Sequence, residues 1–82
     1  MDIQLNTLYI FTRGSYLRRD HQTVVIEVEK TVKGSVPIHH LESVCLFGAS
    51  TISAPALDLC WEHGVAVNYL SEHGYLRARM TV

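Results

Sequence analysis

Three sets of side chains in this sequence have types and spacings that could do chemistry. Cys60 and His63 lie three residues apart, and His39-His40 shortly precede Cys45, a combination that invites a metal site or an activated thiol. A zinc site needs four converging donors, usually in close Cys-Cys or His-His pairs, and neither pair occurs. At helical spacing Cys60 falls on an apolar arc and His63 on a polar one, the pattern of a core thiol beside a helix-end histidine. The alternative makes the chain a small self-sufficient metal- or thiol-dependent protein using Cys60, His63 and His39, and bound zinc would be its mark. Asp58 and Glu62, four apart, could serve two-metal chemistry but equally suit a solvated helix face. Neither Gly48 nor Gly64 has the spacing of a phosphate-cradling loop. On the residues alone, no catalytic and no metal-ligating position is assigned.

The arginines form the third set. Arg13 lies in an early turn, Arg18-Arg19 in the strand after it, and Arg77 and Arg79, two apart, project on one face of a final strand. With Tyr9, Tyr16 and Tyr75 interleaved, they could contact phosphate oxygens and stack on an unpaired base. A solvated strand face with amphipathic stems fits the same residues.

The elements that must position these groups centre on residues 42–76, which read as strand, short helix, strand. Leu41 to Phe47 is an apolar run ending at Gly48; Ser53 is an N-cap, Pro55 follows in the first turn, and Gly64 closes the helix. At 100° per residue, Ala56, Leu57, Cys60 and Trp61 share the apolar arc, leaving Leu59 among Asp58, Glu62 and His63, where it could meet another subunit. Val65 to Leu70 is a strand with Val65, Val67 and Tyr69 on one face. Strands are predicted at Thr7–Phe11, Tyr16–Asp20 and Thr23–Lys30, with turns at Thr12–Ser15, Asp20–Gln22 and Lys33–Ser35. Val36-Pro37-Ile38 reads as an edge segment, since Pro37 cannot donate to a ladder. A turn at Ser71–Gly74 leads to a last strand, Tyr75–Met80. The expected fold is mainly β (α+β), a small sandwich-like domain of short hairpin strands with one helix in a strand-helix-strand unit.

At 82 residues the chain makes one small domain, and its 48% apolar content is enough for one core. A net charge of −1 and pI near 6.5 exclude a strongly basic DNA-binding module, so any nucleic-acid contact must use a local patch. Without a leader or a long apolar run, a reduced cytoplasmic setting with no membrane contact is expected.

The order of short motifs resembles a known family. Leu5-Asn6-Thr7-Leu8-Tyr9-Ile10, Tyr16-Leu17, Val36-Pro37-Ile38-His39-His40-Leu41-Glu42-Ser43-Val44, Leu46-Phe47-Gly48, Ser53-Ala54-Pro55-Ala56-Leu57, Cys60, Glu62 to Val67 and Ser71 to Leu76 follow one another as in the N-terminal β-domain of the CRISPR-associated spacer-acquisition integrase. That family is a metal-dependent DNA endonuclease, and the opening Leu-Asn-Thr-Leu-Tyr is similar to its type I-C branch. The resemblance implies that residues 1–82 are a dimerisation and DNA-positioning domain and that the helical catalytic C-terminal domain is not present. It implies Mg2+ or Mn2+ held by Glu, His and Asp of that second domain, with no cofactor in this segment. Implied partners are a second copy, DNA with splayed ends and the second small CRISPR adaptation protein. Arg13, Tyr16, Arg18, Arg19, Arg77 and Arg79 become candidate DNA contacts, and Leu59, Tyr69 and Tyr75 candidate dimer contacts. Some relatives carry an aromatic wedge in the loop matching Thr12-Arg13-Gly14; here Tyr16 is the nearest ring.

Overall fold

β-Branched and aromatic residues recur at alternate positions through most of the chain, and those stretches fold as strands. The computed structural model describes residues 2–81. In chain order its elements are β1 (Asp2–Gln4), β2 (Thr7–Ile10), β3 (Ser15–Asp20), β4 (Thr23–Val28), β5 (Thr31–Pro37), a 3-10 turn (Ile38–His40), β6 (Ser43–Phe47), β7 (Thr51–Ile52), α1 (Ala54–Glu62), β8 (Ala66–Leu70) and β9 (Leu76–Met80). They build two sheets, ordered β1-β2-β6-β8-β9 and β5-β4-β3-β7. In the first, β2, β6 and β8 run parallel, with Leu8 opposite Val44 opposite Val67, while β1 and β9 pair antiparallel at the edges. In the second, β3, β4 and β5 form an antiparallel meander and β7 pairs parallel to β3.

The core lies between the sheets. Leu8, Ile10, Val44, Leu46, Val65 and Val67 from one side meet Leu17, Val24, Ile26 and Val36 from the other, and α1 closes the interior with Leu59 and Cys60. α1 packs against β3 and β8, one strand from each sheet. Its ends are set as the sequence predicts. Ser53 accepts from the Ala56 N–H at 3.2 Å, and Gly64, at φ +68°, lets Val65 N–H reach back to Cys60 O at 2.8 Å. The mainly β architecture with one helix between two strands is the expected one. Among the described residues, no helix is long and apolar enough to cross a membrane.

Three local expectations are corrected. Leu59 is 0% exposed, whereas Trp61 is 53% exposed. Ala56, Leu59 and Cys60 fall within about 100° of arc and form the buried face, so the apolar arc is rotated from the one centred on Trp61. The narrow interior holds a leucine and a thiol there, and the bulky indole stays at the rim. A residue with no exposed surface is withdrawn from any dimer contact. Second, β4 turns at Glu29-Lys30, with φ of +51° and +64°, and not at Lys33–Ser35. That two-residue turn matches the twist of an antiparallel pair but contains no glycine to advertise it. Gly34 lies inside β5 opposite Ile26, beside a bulge that leaves Lys33 unpaired. Pro37 does end an edge strand, as expected. Third, β2 and β3 do not form a hairpin: the turn between them carries the chain from one sheet to the other.

Leu59→Ala should therefore behave as a core truncation, costing about 2–5 kcal/mol in urea denaturation, where a rim residue would cost under about 1 kcal/mol.

Candidate functional site

Parallel strands deliver their carboxyl ends to one edge of a sheet, and the loops that follow become neighbours. Here β2, β6 and β8 end together, so Phe11–Gly14, Gly48-Ala49 and the Ser71–Gly74 turn surround a common cleft. Its volume is about 730 Å3, and Phe11, Arg13, Phe47, Glu72, His73 and Arg77 contribute its side chains.

Backbone hydrogen bonds lace the three loops. Gly14 N–H donates to Ala49 O at 2.9 Å, and Gly48 N–H donates to Leu70 O at 2.9 Å. Ser50, wholly buried, donates to Phe47 O at 3.1 Å, while the Tyr69 hydroxyl donates to Ser50 O. Ser15 Oγ donates to Thr12 O at 2.6 Å. The Ser71 Oγ accepts from Tyr75 N–H at 3.0 Å and holds the last turn closed. Gly48 takes φ +63°, a left-handed conformation that favours glycine, and a Cβ built there would be in van der Waals contact with Glu72 Cβ at 3.4 Å.

The cleft floor is aromatic. Ile10 and Leu46 are register partners, which brings the next residues, Phe11 and Phe47, into a stack with ring centroids 4.8 Å apart. Tyr9 extends the stack at 6.0 Å from Phe11. Phe11 remains 54% exposed. Arg77 reaches the cleft because it is the unpaired residue of a bulge in β9, between the pairs Tyr69–Ala78 and Leu70–Leu76. Among the described side chains, no carboxylate lies within 4.0 Å of Arg13 or Arg77. Both charges are available to a ligand. The arrangement suits an anion beside a flat apolar group.

The structure brings only part of the predicted arginine set together. Arg18 is held by Glu27 across the β3–β4 pair, and Arg19 bonds His21 O at 2.9 Å and Glu62 at 3.3 Å, fastening β3 to the end of α1. Tyr16 shares the outer face of the second sheet with Arg18 and is not among the residues lining the cleft. Arg79 donates to Asn68 at 2.5 Å on the outer face of the first sheet. Of the dimer candidates other than Leu59, Tyr69 is half-buried with its hydroxyl engaged, and Tyr75 is 75% exposed. Phe11, Phe47 and Glu72 are the cleft residues that reading the sequence missed. Phe11 and Phe47 each sit one residue beyond a β2–β6 pair, and the signal that would have found them is the strand-end position shared by two parallel neighbours.

The metal and thiol alternative fails on geometry. Among the described residues, no three His, Cys, Asp or Glu side chains converge as a metal would require. Burial pushes the Cys60 thiol up to about 11, so at neutral pH it is a protonated core residue. His63 Nδ1 meets the Leu59 carbonyl at 3.1 Å, so that nitrogen carries the proton, and its ring stands edge-on to His39 with centroids 5.6 Å apart.

The family model described as "CRISPR associated protein Cas1" matches residues 8–82. A "CRISPR-associated endonuclease Cas1 1" from Moorella thermoacetica is 41% identical over 80 residues, covering 98% of this chain and 23% of that protein. Among solved structures, a partial Cas6-RT-Cas1–Cas2 complex is similar with TM-score 0.87 at 20% identity, over 96% of this chain and 24% of the other. A TtCas1–DNA complex is similar with TM-score 0.78 at 17% identity, over 98% of this chain and 30% of the other. At those identities the likeness to solved structures is one of fold. The chain spans about a quarter of the length of the curated relative it matches.

Two outcomes test this arrangement. Gly48→Ala should cost about 1–2 kcal/mol in denaturation, through the strain of a left-handed backbone. At pH 8 a disulfide reagent should label Cys45 in the folded chain and Cys60 only on unfolding. Because the folded thiol has the higher pKa, its contribution to stability is complete below about pH 9 and fades as pH rises toward 11.

Proposed function

The chain belongs to the CRISPR-associated Cas1 family, whose model spans residues 8–82, and on that premise we propose that it is the N-terminal β-domain of an adaptation integrase. In this reading it positions the ends of captured DNA and pairs with a second copy, while metal-dependent endonuclease and integrase chemistry resides in a helical C-terminal domain. The observation that carries it is the convergence of Arg13 and Arg77, neither with a carboxylate partner among the described side chains, on a cleft floored by Phe11 and Phe47. Guanidinium groups suit phosphate, and the exposed part of the aromatic stack, Phe11 above all, suits contact with an unpaired base, so the cleft fits the splayed end of a duplex and not its intact interior. The DNA complex of a structural neighbour supports the same reading. Arg18 and Arg19, spent on Glu27 and Glu62, serve chiefly to hold the fold, and Arg79 is engaged by Asn68 outside the cleft lining.

Among the described residues no three metal donors converge, and in this reading Mg2+ or Mn2+ would be held by the C-terminal domain. Pairing with a second copy would use the exposed surface around Tyr75 and Leu76 and the open edge of β9. The neighbouring Cas1–Cas2 complex supports the second adaptation protein as a partner of the full-length protein. Two free cysteines, Cys45 and Cys60, suit a reducing cytoplasm. The type I-C assignment rests on the opening Leu5–Tyr9 motif alone.

Titrating the chain with a fluorescent splayed-end duplex at several salt concentrations tests the DNA reading. Arg13→Ala and Arg77→Ala should each weaken binding and lower the salt slope by about one, whereas Arg18→Ala should leave both nearly unchanged. Unchanged binding for both cleft variants would overturn it.

A further inference from the structure

Glu72 shares the cleft with the two arginines, yet among the described side chains no ion pair joins it to either. The His73 ring nitrogen Nε2 lies 3.8 Å from it, beyond hydrogen-bond reach, and its side chain is 72% exposed. One volume of about 730 Å3 is therefore bordered by two guanidinium groups that pair with no described carboxylate, by the Glu72 carboxylate and by a stacked aromatic pair.

Two cations alone would accept any phosphate. A carboxylate beside them is an acceptor without a donor, so it opposes a ligand that brings only negative charge and favours one that also brings N–H groups. The four bases differ in this respect once unpaired. Guanine presents two adjacent donors, N1–H and the 2-amino group, which match the two oxygens of a carboxylate. Adenine and cytosine each present one amino group beside a ring nitrogen acceptor, which a carboxylate repels. Thymine presents one N–H between two carbonyls. Guanine also offers O6 and N7, the pair of acceptors that an arginine fork fits best.

We propose that this cleft reads an unpaired guanine at the DNA end, with Glu72 as the specificity-determining residue. The base lies on the Phe11–Phe47 stack, its Watson–Crick edge meets Glu72, and Arg13 and Arg77 take the flanking phosphates or the O6/N7 edge. The inference rests on the cleft being the DNA-end site proposed above.

The test is fluorescence anisotropy of the chain with duplexes whose splayed ends differ in one unpaired nucleotide, dG, dA, dC or dT, at fixed ionic strength. The dG duplex should bind about tenfold tighter than the dT duplex. Glu72→Gln should abolish that preference while raising affinity for the dT duplex, because a negative charge leaves the site. Position 72 lies in an exposed turn, and far-UV circular dichroism checks that the variant is folded. Equal binding of all four duplexes, with Arg13→Ala still weakening each, overturns guanine readout and leaves the DNA-end reading standing. Equal binding that Arg13→Ala and Arg77→Ala do not change removes both. A dG preference that survives in Glu72→Gln overturns the role given to Glu72.

Discussion

Parallel pairing of β2, β6 and β8 is the constraint from which the rest of the structure follows. Parallel neighbours need a crossover, and each crossover here does structural work. Between β6 and β8 the chain passes through β7 and α1, which drops Leu59 and Cys60 into the core. Between β2 and β6 the crossover is the whole β3–β4–β5 meander, so three strands of the second sheet are an insertion between two adjacent strands of the first, and β7 joins them from the next crossover. The sandwich interior is what remains between the first sheet and its own connections.

The same constraint generates the cleft. Three strands that end on one edge bring three loops together, although residues 13, 48 and 72 are far apart in the chain. Buried Ser15, Ser50 and Ser71 then satisfy the loop carbonyls and amides that strand pairing leaves open. A scaffold of that kind can hold opposite charges near one another without letting them neutralise each other. Arg18 and Glu27, diagonal neighbours across the regular β3–β4 ladder, show the contrasting outcome.

Polarity on the two sheets is divided accordingly. The second sheet uses its arginines internally, with Arg19 joining β3 to α1 through Glu62. It also protects its long edge, since β5 carries a bulge, Gly34 and Pro37. The first sheet keeps an aromatic outer row and an exposed last strand, β9, in which a bulge turns Arg77 toward the loops. The proposed recognition cleft lies on the sheet whose edge is left open.

Much of the fold was legible before any coordinates. Ser53, Pro55 and Gly64 mark the helix through local backbone chemistry, Pro37 marks an edge strand because it lacks a donor, and the ordered motifs identify the family. Local hydrogen bonding and period-two patterning act within a few residues, so a linear reading can see them. The Glu29-Lys30 turn escaped because its left-handed residues are not glycine, and Leu59 escaped because two overlapping apolar arcs of α1 were compatible with its sequence. Which arc is buried depends on the shape of the gap between β3 and β8, a property of packing. Which arginines stay free depends on which acids the sheet order places opposite them. The residue types, the caps and the family were determined by the sequence alone; the convergence of Phe11, Arg13, Phe47, Glu72 and Arg77 was decided only by tertiary structure, because parallel register joins segments that share no local interaction.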